Sequence, residues 1–195
     1  MHARRIFIAT GVAAAAASAL PATGAMRADS ARAGGFPNPL LETHTGERVR
    51  FYDDVVKGNK AVLFNMMYAS CRNICPPNTA SLLEVQKILG ERMGRDIFFY
   101  SLTLQPDVDR PPDLQAYARR YGVGPGWTFL TGKRQDIEAI RRKLGFFDPD
   151  PKVDADLMQH TGMVRMGNAA LDRWSMMPSL LPPGRLARSI AELAG

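Results

Sequence analysis

Residues 61–77 read AVLFNMMYASCRNICPP. The first seven, Ala61–Met67, form an apolar run with the length and composition of a buried strand. The run passes into a short polar turn that holds both cysteines of the chain, Cys71 and Cys75. Pro76 and Pro77 follow, and a helical pattern begins. A strand that delivers two thiols to the start of a helix points to a redox site or a soft-metal site.

Outward from this stretch, strand and helix patterns alternate. Upstream, Leu40–Thr43 and Arg48–Phe51 read as a hairpin turning at His44-Thr45-Gly46-Glu47. Tyr52–Val56 reads as a short helix. Downstream, a helical stripe of Leu82, Val85, Leu89 and Met93 predicts a helix from Pro76 to Met93. Ile97–Leu104 is a second buried strand, rich in β-branched and aromatic residues. Pro111-Pro112 opens a helix with Leu114, Tyr117 and Tyr121 on one face, and Trp127–Thr131 is a short strand. Asp136–Leu144 is a third helix, ended by Gly145. The Asp/Pro-rich segment FFDPDPKVDAD reads as a loop. Met163–Met166 and Leu171–Met176 read as a hairpin turning near Gly167-Asn168, and a last helix runs from Pro182-Pro183 to Leu193. This order implies an α/β fold: a mixed central sheet flanked by helices, with an N-terminal β-hairpin and a C-terminal hairpin plus helix.

The chain has 195 residues, of which 46% are hydrophobic and 23% charged, enough for one well-formed core. Its formal charge of +6 falls to +3 once residues 1–33 are set aside. So small an excess does not argue for nucleic acid. The Arg119–Arg120 and Arg141–Lys143 clusters read as solvated helix faces. Residues 1–33 read as an export signal and linker, with residues 34–195 as the folded domain. Two arginines precede an alanine-rich run without acids, followed by small residues. Arg4-Arg5-Ile6-Phe7 resembles a twin-arginine signal. The expected location is the periplasm or the outer face of the cytoplasmic membrane, with membrane contact only through this segment if it stays uncleaved.

Pro76 suits the first position of a helix, and the residue before a proline is pushed out of the α region. Cys75 is therefore placed at the N-cap, with Cys71 in the preceding loop. A thiol there feels the positive end of the helix dipole, and its pKa is expected below the free value of about 8.5. The three residues between the cysteines leave room for a disulfide or a shared metal. A purely structural bridge closing so small a loop would constrain little of the unfolded chain. His44 sits in a polar turn and reads as a surface residue. His160 lies between a long loop and a strand. Two thiolates and an imidazole form a soft set suited to Cu(I), and to Cu(II) with a weak extra ligand. Zinc could use the same three with water. Methionines 66, 67, 158, 163, 166, 176 and 177 lie in strands or loops that could approach these elements. Methionine sulfur binds Cu(I), but core filling is its commoner use.

Residues 36–195 resemble the SCO/SenC proteins. The resemblance rests on FPNPLLETHTGERVRFYDDVVKGNKAVLFNMMYASCRNICP, on LQPDVDRPPDLQAYARRYGVGPGWTFLTG and on QHTG. It implies a thioredoxin-like fold and a copper chaperone for the dinuclear copper centre of cytochrome c oxidase. By position, it implies Cys71, Cys75 and His160 as copper ligands. Gln159 stands where the family usually has an acid near the histidine. Gln105 replaces the first acid of an Asp-Pro-x-x-Asp segment whose Pro106 and Asp109 remain. The aromatic often found after the histidine is absent at Val164-Arg165. Three readings follow. One is copper delivery to the copper-site subunit of a respiratory oxidase or another copper protein. The second is thiol–disulfide exchange by a Cys71/Cys75 redox pair, which needs a thiol reductant and no metal. The third is a thiol peroxidase, suggested by NMMYASC, but its usual Gln and Trp partners have no counterpart that can be placed.

Overall fold

A computed structural model describes residues 35–160 and 162–194. The export-signal segment lies outside the described residues. Seven strands form one sheet, in the order β2-β1-β5-β4-β3-β6-β7. Its centre is three parallel strands, β3 (Ala61–Met67), β4 (Ile97–Thr103) and β5 (Trp127–Thr131). Around them pair antiparallel strands: the β1 (Leu40–Thr43)/β2 (Arg48–Arg50) hairpin beyond β5, and the β6 (Met163–Asn168)/β7 (Arg173–Pro178) hairpin beyond β3. This is the mixed sheet expected from the sequence.

Strand β3 is buried at every residue. It reads as a continuous apolar run because parallel central strands are covered on both faces. Each large side chain buried this way contributes roughly 1.5–3 kcal/mol. Its single polar residue is satisfied across the sheet: Ser101 donates to Asn65 Oδ1 at 2.7 Å, and Trp127 Nε1 donates to Ser101 Oγ at 2.8 Å. One face of the sheet carries α1 (Cys75–Leu89), α2 (Pro111–Tyr121) and α5 (Pro183–Ala194), which supply Leu82, Val85, Leu114, Tyr117, Leu186 and Ile190 to its core. The other face is covered by a single wide turn at Phe51–Val56 and by α3 (Arg134–Leu144). The turn is closed by Lys57 N donating to Tyr52 O at 2.8 Å. A short α4 (Pro151–Asp154) lies within the segment read as a loop. Asp150 caps it through a bond from Lys152 N.

Three expectations are corrected. The first helix ends at Leu89, because Gly90 takes φ +53° and turns the chain out of the helix, although Met93 still reaches the core. The second hairpin turns at Ala169–Asp172, with Asn168 still paired to Arg173. Gly167 is a landing surface: a Cβ there would lie 2.0 Å from the Trp174 ring. Arg141 is buried, not solvated. Its guanidinium binds both Asp154 oxygens at 2.7 Å and both Glu138 oxygens at 2.8 Å, and donates to Phe146 O. Burial of that charge is sustained by these paired, hydrogen-bonded acids. Arg119, Arg120, Arg142 and Lys143 are exposed, as their pattern suggests.

Candidate metal centre

β3 ends at Met67, and Tyr68 to Ile74 carry the chain to α1. Asp109, 2% exposed, fixes the start of this loop. Its Oδ2 accepts from Ala69 N at 3.0 Å and from the Thr103 hydroxyl at the end of β4. Gln105 starts the turn that presents Asp109, its carbonyl accepting from Val108 N and Asp109 N. Its side chain meets Ser70 Oγ at 3.4 Å, so the amide at this position contacts the thiol loop without adding charge.

Helix α1 begins at Cys75 itself, one residue earlier than expected, with Ile74 as the cap in α-region backbone. Pro76 and Pro77 occupy first-turn positions whose N–H groups would have no helical partner. The Cys75 N–H is thus the donor left at the helix start, and it goes to Cys71 Sγ at 3.3 Å. The sulfur that benefits from the helix end is that of Cys71. This reverses the expected roles. Both thiols are free and buried. Burial pushes the Cys71 thiol up, but hydrogen bonds from Cys75, from the Tyr68 hydroxyl and from the Asn73 backbone outweigh it, and its pKa is lowered. Burial, then the neighbouring Cys71 sulfur, push Cys75 up to about 12, against a backbone hydrogen bond from Tyr68. Of the two thiols, Cys71 is the more readily ionised and Cys75 the one held protonated. Partial alkylation of the reduced protein near pH 8 should label Cys71 at least ~10-fold faster than Cys75, because the thiolate is the reactive form. Peptide mapping reads the ratio, and preferential labelling of Cys75 would contradict the assignment.

His160 ends a short turn, Leu157–His160, that follows α4. Its side chain lies outside the described residues, as does Thr161. The backbone on either side is tied to the thiol end of the sheet. On one side, Tyr68 Oη donates to Met158 Sδ at 3.4 Å. On the other, Ser179, fully buried, donates from its hydroxyl to Asn78 Oδ1 in α1 at 2.8 Å, while Ser179 N donates to Gly162 O at 3.0 Å. Asn78 is three residues past Cys75, and Gly162 is two past His160. Gln159 is exposed and turned to Asp156, whose carboxylate also accepts from Met158 N. Asp156 thus supplies an acid to this turn from a position three residues before Gln159. Among the described residues no cluster of three His, Cys, Asp or Glu side chains is gathered.

His44 lies elsewhere, across β4 and β5 from β3. It is not a simple surface residue. Its Nδ1 accepts from Phe129 N at 3.2 Å, and its ring stands edge-on to Phe129 at 5.6 Å. Burial lowers its pKa. Tyr68 was not singled out in the sequence. The available signal was a hydroxylated aromatic between a fully buried strand and the first cysteine. Among the described residues no helix is long and apolar enough to cross a membrane.

The SCO1/SenC family model matches residues 40–195. The SCO1 protein homolog of Bacillus subtilis (strain 168) is 34% identical over 83 residues, 42% of this chain and 42% of that relative, so the match spans less than half the relative's length. A SCO1/SenC family lipoprotein from Bacillus anthracis str. Ames superposes with a TM-score of 0.66 at 22% identity, covering 82% of this chain and 95% of that one. BsSco, a Sco-family cytochrome c oxidase assembly protein with a disulfide switch, gives 0.64 at 20% identity over 80% and 91%. Bradyrhizobium japonicum ScoI with copper bound gives 0.62 at 19% identity over 80% and 99%. At these identities the structural likenesses establish the thioredoxin-like fold.

Proposed function

The chain belongs to the SCO1/SenC family, and from that premise we propose that it is an exported copper chaperone. Cys71, Cys75 and His160 hold a single Cu(I) and pass it to the copper site of a respiratory oxidase subunit. The observation that carries this reading is the clamping of the chain around His160, against the thiol loop through Met158 and Tyr68 on one side and against α1 through Gly162, Ser179 and Asn78 on the other. The donor set fits the cargo: two sulfurs and an imidazole are soft ligands that match Cu(I). Cys75 must lose its proton when copper binds, since its thiol is held up at about 12. Copper affinity therefore falls as pH falls. Asp109 and the helix start hold the two sulfurs in place before the metal arrives, which lowers the ordering cost of binding. Export through residues 1–33 puts the domain outside the cytoplasm, where its thiols need a reductant to stay metal-competent.

Anaerobic Cu(I) titration of the reduced protein against a chromophoric chelator tests this. A single tightly bound equivalent is expected, with affinity dropping between pH 8 and pH 6. Absence of competition with the chelator at any pH in that range contradicts it.

A second reading is favoured by the divergent thiols. Cys71, lowered, is suited to attack a partner disulfide, and Cys75, buried and protonated, to resolve the mixed disulfide after losing its proton. On this reading the protein keeps the cysteines of an oxidase subunit reduced, and His160 is dispensable.

A further inference from the structure

Six of the seven methionines near the site in sequence terms serve the two cores. Met66, Met67 and Met166 are buried, and Met163, Met176 and Met177 pack against them. Met158 is different. It stands half-buried on the His160 turn, with its sulfur at 3.4 Å from the Tyr68 hydroxyl. Tyr68 is also joined to Cys71, whose N–H donates to Tyr68 O at 3.1 Å, and its hydroxyl helps to lower the Cys71 pKa. One residue thus ties the Met158 turn to the thiol loop, across two segments 90 residues apart. We propose that Met158 is an additional sulfur ligand for the Cu(I) carried by Cys71 and Cys75. The inference rests on the copper reading above and extends it to a residue two positions before His160.

The chemistry supports a role specific to one oxidation state. A thioether is neutral and soft, and it binds Cu(I) in preference to Cu(II). It needs no deprotonation, unlike the thiols. Methionine's unbranched, rotatable side chain lets the sulfur leave the Tyr68 hydroxyl and turn to a metal beside Cys71. Met158 and His160 then offer a thioether and an imidazole from one short turn. Either can stay on the metal while the other is displaced by an incoming ligand of the acceptor protein.

The test compares wild-type protein with Met158→Leu, Tyr68→Phe and Cys71→Ser/Cys75→Ser, using Cu(I) competition and X-ray absorption at the copper edge. Met158→Leu is expected to lose one sulfur scatterer and at least the ~10-fold of affinity that loss of a supporting residue costs a metal site, with Cu(II) affinity unchanged. Tyr68→Phe retains the thioether and should keep the wild-type sulfur count. If Met158→Leu matches wild type in sulfur count and Cu(I) affinity while the double cysteine variant loses copper, Met158 is no ligand and the copper reading stands. If wild type itself binds no Cu(I), both fall. If Tyr68→Phe and Met158→Leu weaken binding equally with no change in sulfur count, the residue only positions the turn, and the inference is overturned.

Discussion

The Cys71→Ser/Cys75→Ser protein should fold and lose copper. Each serine keeps a small polar side chain at its position, and a hydroxyl at residue 71 can still accept the Cys75 N–H bond that now reaches sulfur at 3.3 Å. Unfolding free energy should therefore change by no more than about 1 kcal/mol, the typical net worth of such hydrogen bonds. Cu(I) affinity should drop at least ~10³-fold, because neutral hydroxyls are hard, weak ligands for a soft ion. The single variants separate the roles. Cys71→Ser removes the thiol whose pKa is lowered and should abolish attack on a disulfide substrate. Cys75→Ser leaves the attacking thiol but should trap mixed disulfides, since nothing resolves them. Equal reductase activity in both single variants would contradict the assignment of nucleophile and resolving thiol.

The second large effect lies away from sulfur. Asp109→Ala removes the acceptor of both Ala69 N–H and the Thr103 hydroxyl, in a site where the carboxyl is 2% exposed. One buried and one half-buried donor left without partners cost about 3 kcal/mol together. Denaturant midpoints should show this loss with an unchanged m-value. Asp109→Asn keeps one carbonyl acceptor and should recover about half of it. The consequence for function follows from place. Ala69 is two residues before Cys71, so a loop released there no longer holds the first sulfur at the helix start. The preference for alkylation at Cys71 should shrink together with the stability. A loss below about 1 kcal/mol would mean that water takes over the role of the carboxylate.

What the sequence shows clearly, and what it hides, divides along one line. Strands β3 and β5 are readable to the residue, because apolar runs and aromatic, β-branched residues encode burial directly. The ends of α2 and α3 are equally readable, since Gly122 and Gly145 take left-handed φ at their C-caps. The metal-site candidates Cys71 and Cys75 stood out by spacing alone. Which sulfur would gain the helix end did not. That depends on two prolines removing the competing N–H groups, and the pre-proline preference points the other way. Arg141 looked like one charge in a solvated cluster. Its burial depends on Asp154, thirteen residues on, in a segment that read as loop. Asp109 and Met158 are harder still. Their partners are 40 and 90 residues away, and no local pattern encodes a tertiary hydrogen bond over such separations. Gln159 does not leave its turn without an acid. The structure puts Asp156 at the same turn, accepting from Met158 N and the Gln159 amide. A carboxylate therefore stands at this turn, three residues before Gln159, where it acts on the Tyr68 hydroxyl.

The two readings of the thiol pair share Cys71 and Cys75 and part at His160. Copper delivery needs a third ligand from the turn that Met158 ties to the thiol loop and Gly162 ties to α1. Disulfide exchange needs none. The most direct test measures Cu(I) affinity and disulfide reductase rate side by side in wild type and His160→Ala. The copper account expects affinity to fall at least ~10-fold while the reductase rate stays the same. Unchanged Cu(I) affinity in His160→Ala, with full reductase activity, would contradict it and leave thiol exchange as the function.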